Sequence, residues 1–599
     1  MAMGRRERRW LGAGFVMVAA GLGVVASLTP LRSPTNVRVT LDATGPYTSL
    51  TGANDDTLRE CGTSRWAQNE PSVAIDPHQP DTITIGANDT CAGVTSDYPW
   101  MGLYRSRDGG STWTDSLVPG YPLDTTAHAA TSPEQGSCGF SSDPALSFDT
   151  GGTLFYGFIC VTTTPQGSAE PDGASQAGDP DEGGESGMPG FGSTAPEAPL
   201  NVTASSAYVA VFDHDGSHFV RTSLVSAGDP SHGVFEDKID LTVDQSSGPG
   251  SGNVYVAWAE FGSSPGPTVM FARSTDHGAT FSTPIRVDRT DDFQQFADMA
   301  VGPDGRLYVA FRDRDRLLVA RSTDQGQSFA VVASLTIRPF DSWYFSGGGE
   351  ADRDCGDAID SCPSGYTFPR FVSEPAIAAD GTGEHLMWSE GVKGGRGRIV
   401  GVNSTDGAHW SPPAPVDGSA AGHQFMPTMA STGGTLAALF YDSRRDPSYG
   451  PTRPPGNRPD GSNAGPAVDV ILARSPDGGR TWSEIRVTPN PMVIGFETSD
   501  SARVPFIGDY LGLSGWDGRF AFAWTDTRDV VTGTDARTGH EQPGDGFDVH
   551  VPCTFAPDSI EAPEYDRPAR SDPCLRRGGL DVNIYASVIS ARSKWIPAS

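Results

Sequence analysis

One short phrase recurs along the chain and constrains its fold more than any other feature. It reads Ser-Arg-Asp-Gly-Gly-Ser-Thr-Trp at Ser106–Trp113 and returns, slightly altered, at Ser274–Phe281, Ser322–Phe329, Ser404–Trp410 and Ser475–Trp482. Each copy carries an Asp third: Asp108, Asp276, Asp324, Asp406 and Asp477. This chemistry suits a hairpin turn. A short carboxylate accepts hydrogen bonds from turn amides, and the Gly behind it tolerates the positive φ that a side chain opposes. The closing Trp or Phe packs the turn onto a neighbouring unit. The five Asp residues therefore read as structural rather than catalytic. A unit repeated this often buries its apolar face by stacking on its own copies.

The phrase resembles the Asp box, or BNR repeat, of sialidases and related β-propellers. The resemblance implies an all-β, closed ring of blades. Two strand signals precede the phrase in each unit. The first is typified by Glu70–Asp76 and recurs at Asp143–Asp149, Asp237–Asp244, Asp298–Gly305, Glu374–Gly381, Met426–Gly433 and Ile507–Gly515. The second is typified by Val254–Trp258 and recurs at Thr82–Gly86, Leu154–Ile159, Leu307–Phe311, His385–Trp388, Leu436–Tyr441 and Phe520–Trp524. These runs are short, β-branched or aromatic, and bounded by Gly, Asp or Pro. Seven pairs predict a single propeller of seven blades with about four antiparallel strands each, six or eight being the alternatives. Sialidases have six, so the count departs from theirs. Two blades lack a clean phrase. Val209–Asp213 with Asp215-Gly216 is a worn copy in the second, and Asp581–Ser587 is the third strand of the seventh. Asn36–Leu41 is a candidate outer strand that closes the ring.

Outside the ring the chain reads as an exported protein. Four Arg within residues 5–9 precede an apolar run from Trp10 to Leu28, so residues 1–28 form a signal peptide or an N-terminal anchor. Residues 29–60 are a linker with the ring-closing strand, and 61–599 the propeller. Eight Cys suit an oxidising compartment, and their order suggests Cys61–Cys91, Cys138–Cys160, Cys355–Cys362 and Cys553–Cys574. A net charge of -31 repels phosphate backbones and anionic lipid, so nucleic acid and membrane surfaces are excluded as partners. A monomer that meets a glycan or an extracellular protein is expected.

If the recurring turn joins third to fourth strands, the second-to-third loops and the links between blades share the opposite, top face. The long irregular segments 165–200, 340–372, 447–466 and 530–580 all fall there. The second strands end in charged strings that ring the same face: Arg312 and Arg314 in blade four, Asp442 and Arg444 in blade six, Asp526 and Arg528 in blade seven. These are the candidate substrate-binding residues. They grip a ligand carboxylate with paired hydrogen bonds or they pair with one another. Candidate catalytic residues are Tyr441 and Tyr510 as nucleophiles, with Glu260 or Glu390 to activate one. First strands begin near Glu70, Asp143, Asp237, Asp298, Glu374 and Asp509, adding carboxylates to the mouth. The resemblance implies a three-arginine clamp, a Tyr–Glu pair and an Asp acid/base, but the Phe/Tyr-Arg-Ile-Pro motif carrying the first arginine is absent. No cofactor is required and no metal ligand set is assigned. Asp352, Asp354, Asp357 and Asp360 crowd one loop, where Ca2+ is the cation that oxygen ligands would favour. Three readings of function follow: a sialidase-like glycoside hydrolase, a non-catalytic propeller that binds glycan or protein, or, from the acidic content alone, a lyase or other cation-dependent activity.

Overall fold

The computed structural model describes residues 34–41, 45, 47–52, 56–62, 66–91, 99–122, 124–128, 132–134, 138–165, 200–290, 293–338, 374–392, 394–459, 464–494, 507–529 and 582–593. They form seven four-stranded antiparallel sheets, each one blade of a propeller. Blade one runs Gln68–Ile75, Ile83–Asp89, Trp100–Ser106 and Thr114–Leu117. Blade two runs Phe140–Phe148, Leu154–Pro165, Leu200–Asp213 and His218–Ser226. Blades three to six begin at Phe235, Gln294, Pro375 and Gln424 and keep the same order.

Blade seven is assembled from both ends of the described chain. Gly512–Trp516, Arg519–Asp526 and Asn583–Ser590 supply its inner strands, and Val37–Arg38 pairs outside them, Val37 opposite Ala586. Such a clasp joins the first and last parts of the ring by hydrogen bonds rather than packing alone. The Asn36 amide adds a bond to the Val487 carbonyl of blade six at 3.1 Å, and the Leu41 N–H reaches Asp115 of blade one at 2.5 Å. The N-terminal segment thus ties three blades.

The core lies between blades. Second and third strands are buried on both faces, as the sandwiching of sheet on sheet demands. Trp100, Trp258, Trp388 and Trp524 are the largest wholly buried side chains, and each is inward from a second or third strand. The disulfides Cys61–Cys91 and Cys138–Cys160 are formed. The other two Cys pairs, residues 1–28, the Asp352–Asp360 loop and most of the long insertions lie outside the described residues. No described helix is long and apolar enough to cross a membrane.

The recurring phrase forms the turn between third and fourth strands. Asp108 accepts the N–H groups of Ser111 at 3.0 Å and Thr112 at 2.8 Å, and the Thr112 hydroxyl at 2.7 Å. Asp276, Asp324 and Asp477 repeat this set of bonds, and Asp406 does so with His409. These bonds hold the anion in preference to the acid and lower the carboxyl pKa, to about 2 at Asp276.

Candidate functional site

The first strands surround a central channel, and a shared irregularity marks its top end. In blades one to four and in blade six, one extra residue bulges the first strand where it enters the sheet. The bulge residues are Glu70, Asp143, Lys238, Phe296 and Met426, with φ of 56°, 60°, 53°, 58° and 51°. A side chain in that region costs about 1 kcal/mol or more. A bulge re-aims the residue it carries, and five such conformations at one level of one ring hold these side chains at the channel mouth. By register, Tyr510 stands at the same level in blade seven, two residues ahead of Gly512.

A cavity of about 360 Å³ occupies the channel, with Lys238, Phe296, Glu374, Asp509 and Tyr510 at its upper end. The charged groups are linked. The Lys238 ammonium donates to Asp509, and both side chains are buried. The Lys238 N–H donates to Asp143 at 2.9 Å, and the Asp509 N–H to Glu70 at 2.9 Å. Asn88 donates to Glu70 at 2.7 Å. The ammonium also lies 5.6 Å from the Tyr510 ring centre and 5.9 Å from that of Phe296. Burial, then the charges of Asp237 and Glu70, push the Asp143 carboxyl well above the ordinary range. Burial and the same ring of carboxylates push the Tyr510 phenol up. Tyr510 is therefore a neutral hydroxyl, and that hydroxyl is buried with no hydrogen-bond partner among the described residues.

Deeper in the channel, Asp240 accepts the Met299 N–H at 2.8 Å, and Asp298 accepts the Ile377 N–H at 2.6 Å. Each carboxylate staples its blade to the next. Burial raises Asp240 to about 7.

Of the candidate nucleophiles, Tyr510 reaches the mouth and Tyr441 does not. Tyr441 is wholly buried between blades six and seven, its hydroxyl on the Thr525 carbonyl at 3.2 Å. The candidate arginines are spread over separate blades. Arg444 binds Asp442 at 2.6 Å and Glu484 of the outermost strand at 2.8 Å. Arg528 grips Asp526 with two bonds, of 2.8 and 2.5 Å, and stacks 4.0 Å from the Tyr585 ring centre. Arg312 donates to the Arg314 carbonyl at 2.9 Å, and Arg314 lies over Phe293. Glu390 holds Arg398 at 3.0 Å, and Glu260 accepts from Ser263 on its own hairpin. Sequence reasoning missed Lys238. Its signal was a basic residue at a strand-entry position filled elsewhere by Glu70, Asp143 and Glu374.

Among the described residues two His/Asp groups could hold a cation, Asp76–His78–Asp215 and Asp213–His214–His218. Both lie on the bottom face, with the recurring turns.

No family model matches the chain, and no curated protein does. Among solved structures it is similar to a leech intramolecular trans-sialidase, at 13% identity and TM-score 0.38, over 67% of this chain and 70% of that one. It is similar to the intramolecular trans-sialidase from Ruminococcus gnavus at 15% identity and TM-score 0.38, over 64% and 90%. A protein of unknown function from Dyadobacter fermentans matches at 14% identity and TM-score 0.37, over 71% and 96%. A likeness of this degree carries no chemistry with it. The chain itself is an all-β propeller of seven four-stranded blades.

Proposed function

We propose that the protein binds a glycan at the top end of its central channel and prefers neutral or amino sugars to sialic acids. The observation that carries this reading is the Tyr510 hydroxyl, buried in the channel wall without a partner among the described residues, beside the Lys238–Asp509 pair. A buried hydroxyl without a partner costs about 1–3 kcal/mol until a ligand or water fills the gap. Aromatic faces at Tyr510 and Phe296 suit the apolar face of a pyranose ring. Carboxylates accept hydrogen bonds from sugar hydroxyls or from an ammonium group. The repeat's resemblance supplies the substrate class, and the charge at the mouth narrows it. One lysine, already paired, among several carboxylates disfavours an anionic sugar, and the arginines that would grip one are engaged with Asp442, Glu484 and Asp526.

Hydrolysis is a second reading, favoured by one contrast. Burial pushes the Asp143 carboxyl up, whereas Asp509 faces an ammonium. Carboxyls in such unlike surroundings can divide acid and base roles. A panel of fluorogenic hexosides, hexosaminides and sialosides tests both readings, with binding followed by fluorescence anisotropy and turnover by release. Tyr510→Phe should leave the melting temperature within about 1 °C and weaken binding about 10-fold, the worth of one hydrogen bond. Preferential binding of sialosides, or affinity unchanged in Tyr510→Phe, would sink the proposal.

A further inference from the structure

The bottom face carries an arrangement that the ligand site at the top does not use. In blades one to three an Asp at the end of the first strand organises the turn to the second: Asp76 in blade one, Asp149 in blade two, Asp244 in blade three. The next blade's third-to-fourth turn presents a left-handed residue just before its Gly, and that residue's side chain reaches back to the turn Asp. At the blade two–three seam it is His277, φ 56°, with Nδ1 3.8 Å from Asp149. At the blade three–four seam it is Gln325, φ 62°, whose Cγ and the Asp244 Oδ2 both border Gly250, with no hydrogen bond joining them among the described residues. Both types can donate a proton to a carboxylate. At the blade one–two seam the same position, φ 60°, holds Asp215, which cannot when ionised.

This seam therefore sets carboxylate against carboxylate. Asp76 is fully buried, and its Oδ1 accepts the His78 N–H at 2.7 Å. Its Oδ2 is buried and has no partner among the described residues. Asp215 accepts Gln79 on one oxygen at 2.6 Å and turns the other to His78 Nδ1 at 3.6 Å. Arg105 is near, but its guanidinium meets the Asp215 backbone carbonyl at 3.5 Å, not the carboxylate. One oxygen from each Asp and one His78 ring nitrogen lie within 4.8 Å of one another. Gly152 backs the space, since a Cβ there would stand 2.8 Å from Asp215 Oδ1 and 3.4 Å from Asp76 Oδ2.

We propose that Asp76, His78 and Asp215 bind a divalent transition-metal cation of the zinc class, which ties blade one to blade two. Two carboxylate oxygens and an imidazole are a donor set such ions accept, and the imidazole favours them over Ca2+. The exposed His78 side leaves room for water to complete the shell. The role is structural, because the site lies at the opposite end of the ring from the channel mouth.

The test uses the full chain stripped with chelator and titrated with Zn2+, with Ca2+ in parallel, by calorimetry and thermal melting. One Zn2+ per chain should bind and raise the melting temperature, and Ca2+ should not compete at equal concentration. Binding should fall at least 10-fold in His78→Ala and in Asp215→Asn but stay in His218→Ala, which removes a ligand from the neighbouring exposed group. Asp215→Asn sets a group that can donate opposite Asp76 in place of a second carboxylate, so without metal it should melt higher than the native chain. A binding loss confined to His218→Ala would overturn the assignment. So would a stabilised Asp215→Asn with no Zn2+ effect on the native chain, since the two carboxyls would then merely share a proton.

Discussion

Replacing Lys238 with Met removes the one ammonium that the described residues place at the channel mouth and keeps the side chain's length. The Lys238 and Asp509 side chains are 8% and 1% exposed, so the substitution strands a buried carboxylate. Removing one partner of a buried ion pair costs about 3–5 kcal/mol. The backbone bonds from Lys238 to Asp143 and from Asp509 to Glu70 survive in the variant and do not enlarge that loss. With an unfolding entropy of about 2.1 cal/mol/K per residue, a ring of this size shifts by roughly 1 °C per kcal/mol, so melting should fall by about 3–5 °C at pH 8. The fall should shrink at pH 5. Lys238 holds Asp143 below where burial alone would put it, so its loss lets the buried carboxyls take up protons, and a raised folded-state pKa stabilises below that pKa. The double variant Lys238→Met/Asp509→Leu exchanges the pair for apolar groups and should recover most of the loss. Scanning calorimetry at both pH values reads all three proteins. A single variant as stable as the native chain, or a double variant that loses the sum of the two singles, would refute a coupled buried pair.

Arg528→Ala leaves Asp526 buried with only the Trp524 N–H at 2.7 Å as its remaining side-chain donor, so urea unfolding should show a loss of about 2–3 kcal/mol with ligand affinity unchanged. Asp477→Ala deletes bonds from the Thr481 N–H and hydroxyl and from the Ser475 hydroxyl at an exposed turn, costing about 1–2 kcal/mol by the same measurement, again without effect on binding. Stability should peak at about pH 4 in melts from pH 2 to 9. Asp276, lowered to about 2, contributes above its unfolded value of 3.8 and loses that contribution as pH falls through 2. Asp240 and Glu236, raised to about 7 and about 8, contribute fully below their unfolded values and lose it as pH rises through 7 to 8. A maximum above pH 7 would contradict these environments.

The ring was legible because its information is local. Every blade announces its first two strands by a short apolar run bounded by Asp or Gly, and counting those pairs gives seven even though the turn phrase survives in five. The carboxylates at the mouth were legible too, since they stand where first strands begin. What could not be read was direction. Arg444 and Arg528 sit in strings that could as well have pointed inward, and only the fold shows that each turns back onto the carboxylate two residues before it. Tyr441 and Tyr510 looked alike in sequence. The first ends a second strand and is sandwiched by blades, and the second enters a first strand and faces the channel.

The two ends of the ring differ in how they handle an acidic side chain, and the difference follows from topology. At the bottom, the Asp of each recurring turn lies within two to four residues of the amides it accepts, so its partners arrive with the turn itself and the anion is favoured. At the top, Glu70, Asp143 and Asp509 come from three blades far apart in sequence, and their bonds run to residues of other blades. Those carboxylates are brought together only when the ring closes, which explains why one buried lysine and a set of strained bulges are kept there. An end where distant blades present acids to a common cavity is the place where a ligand can meet several of them at once.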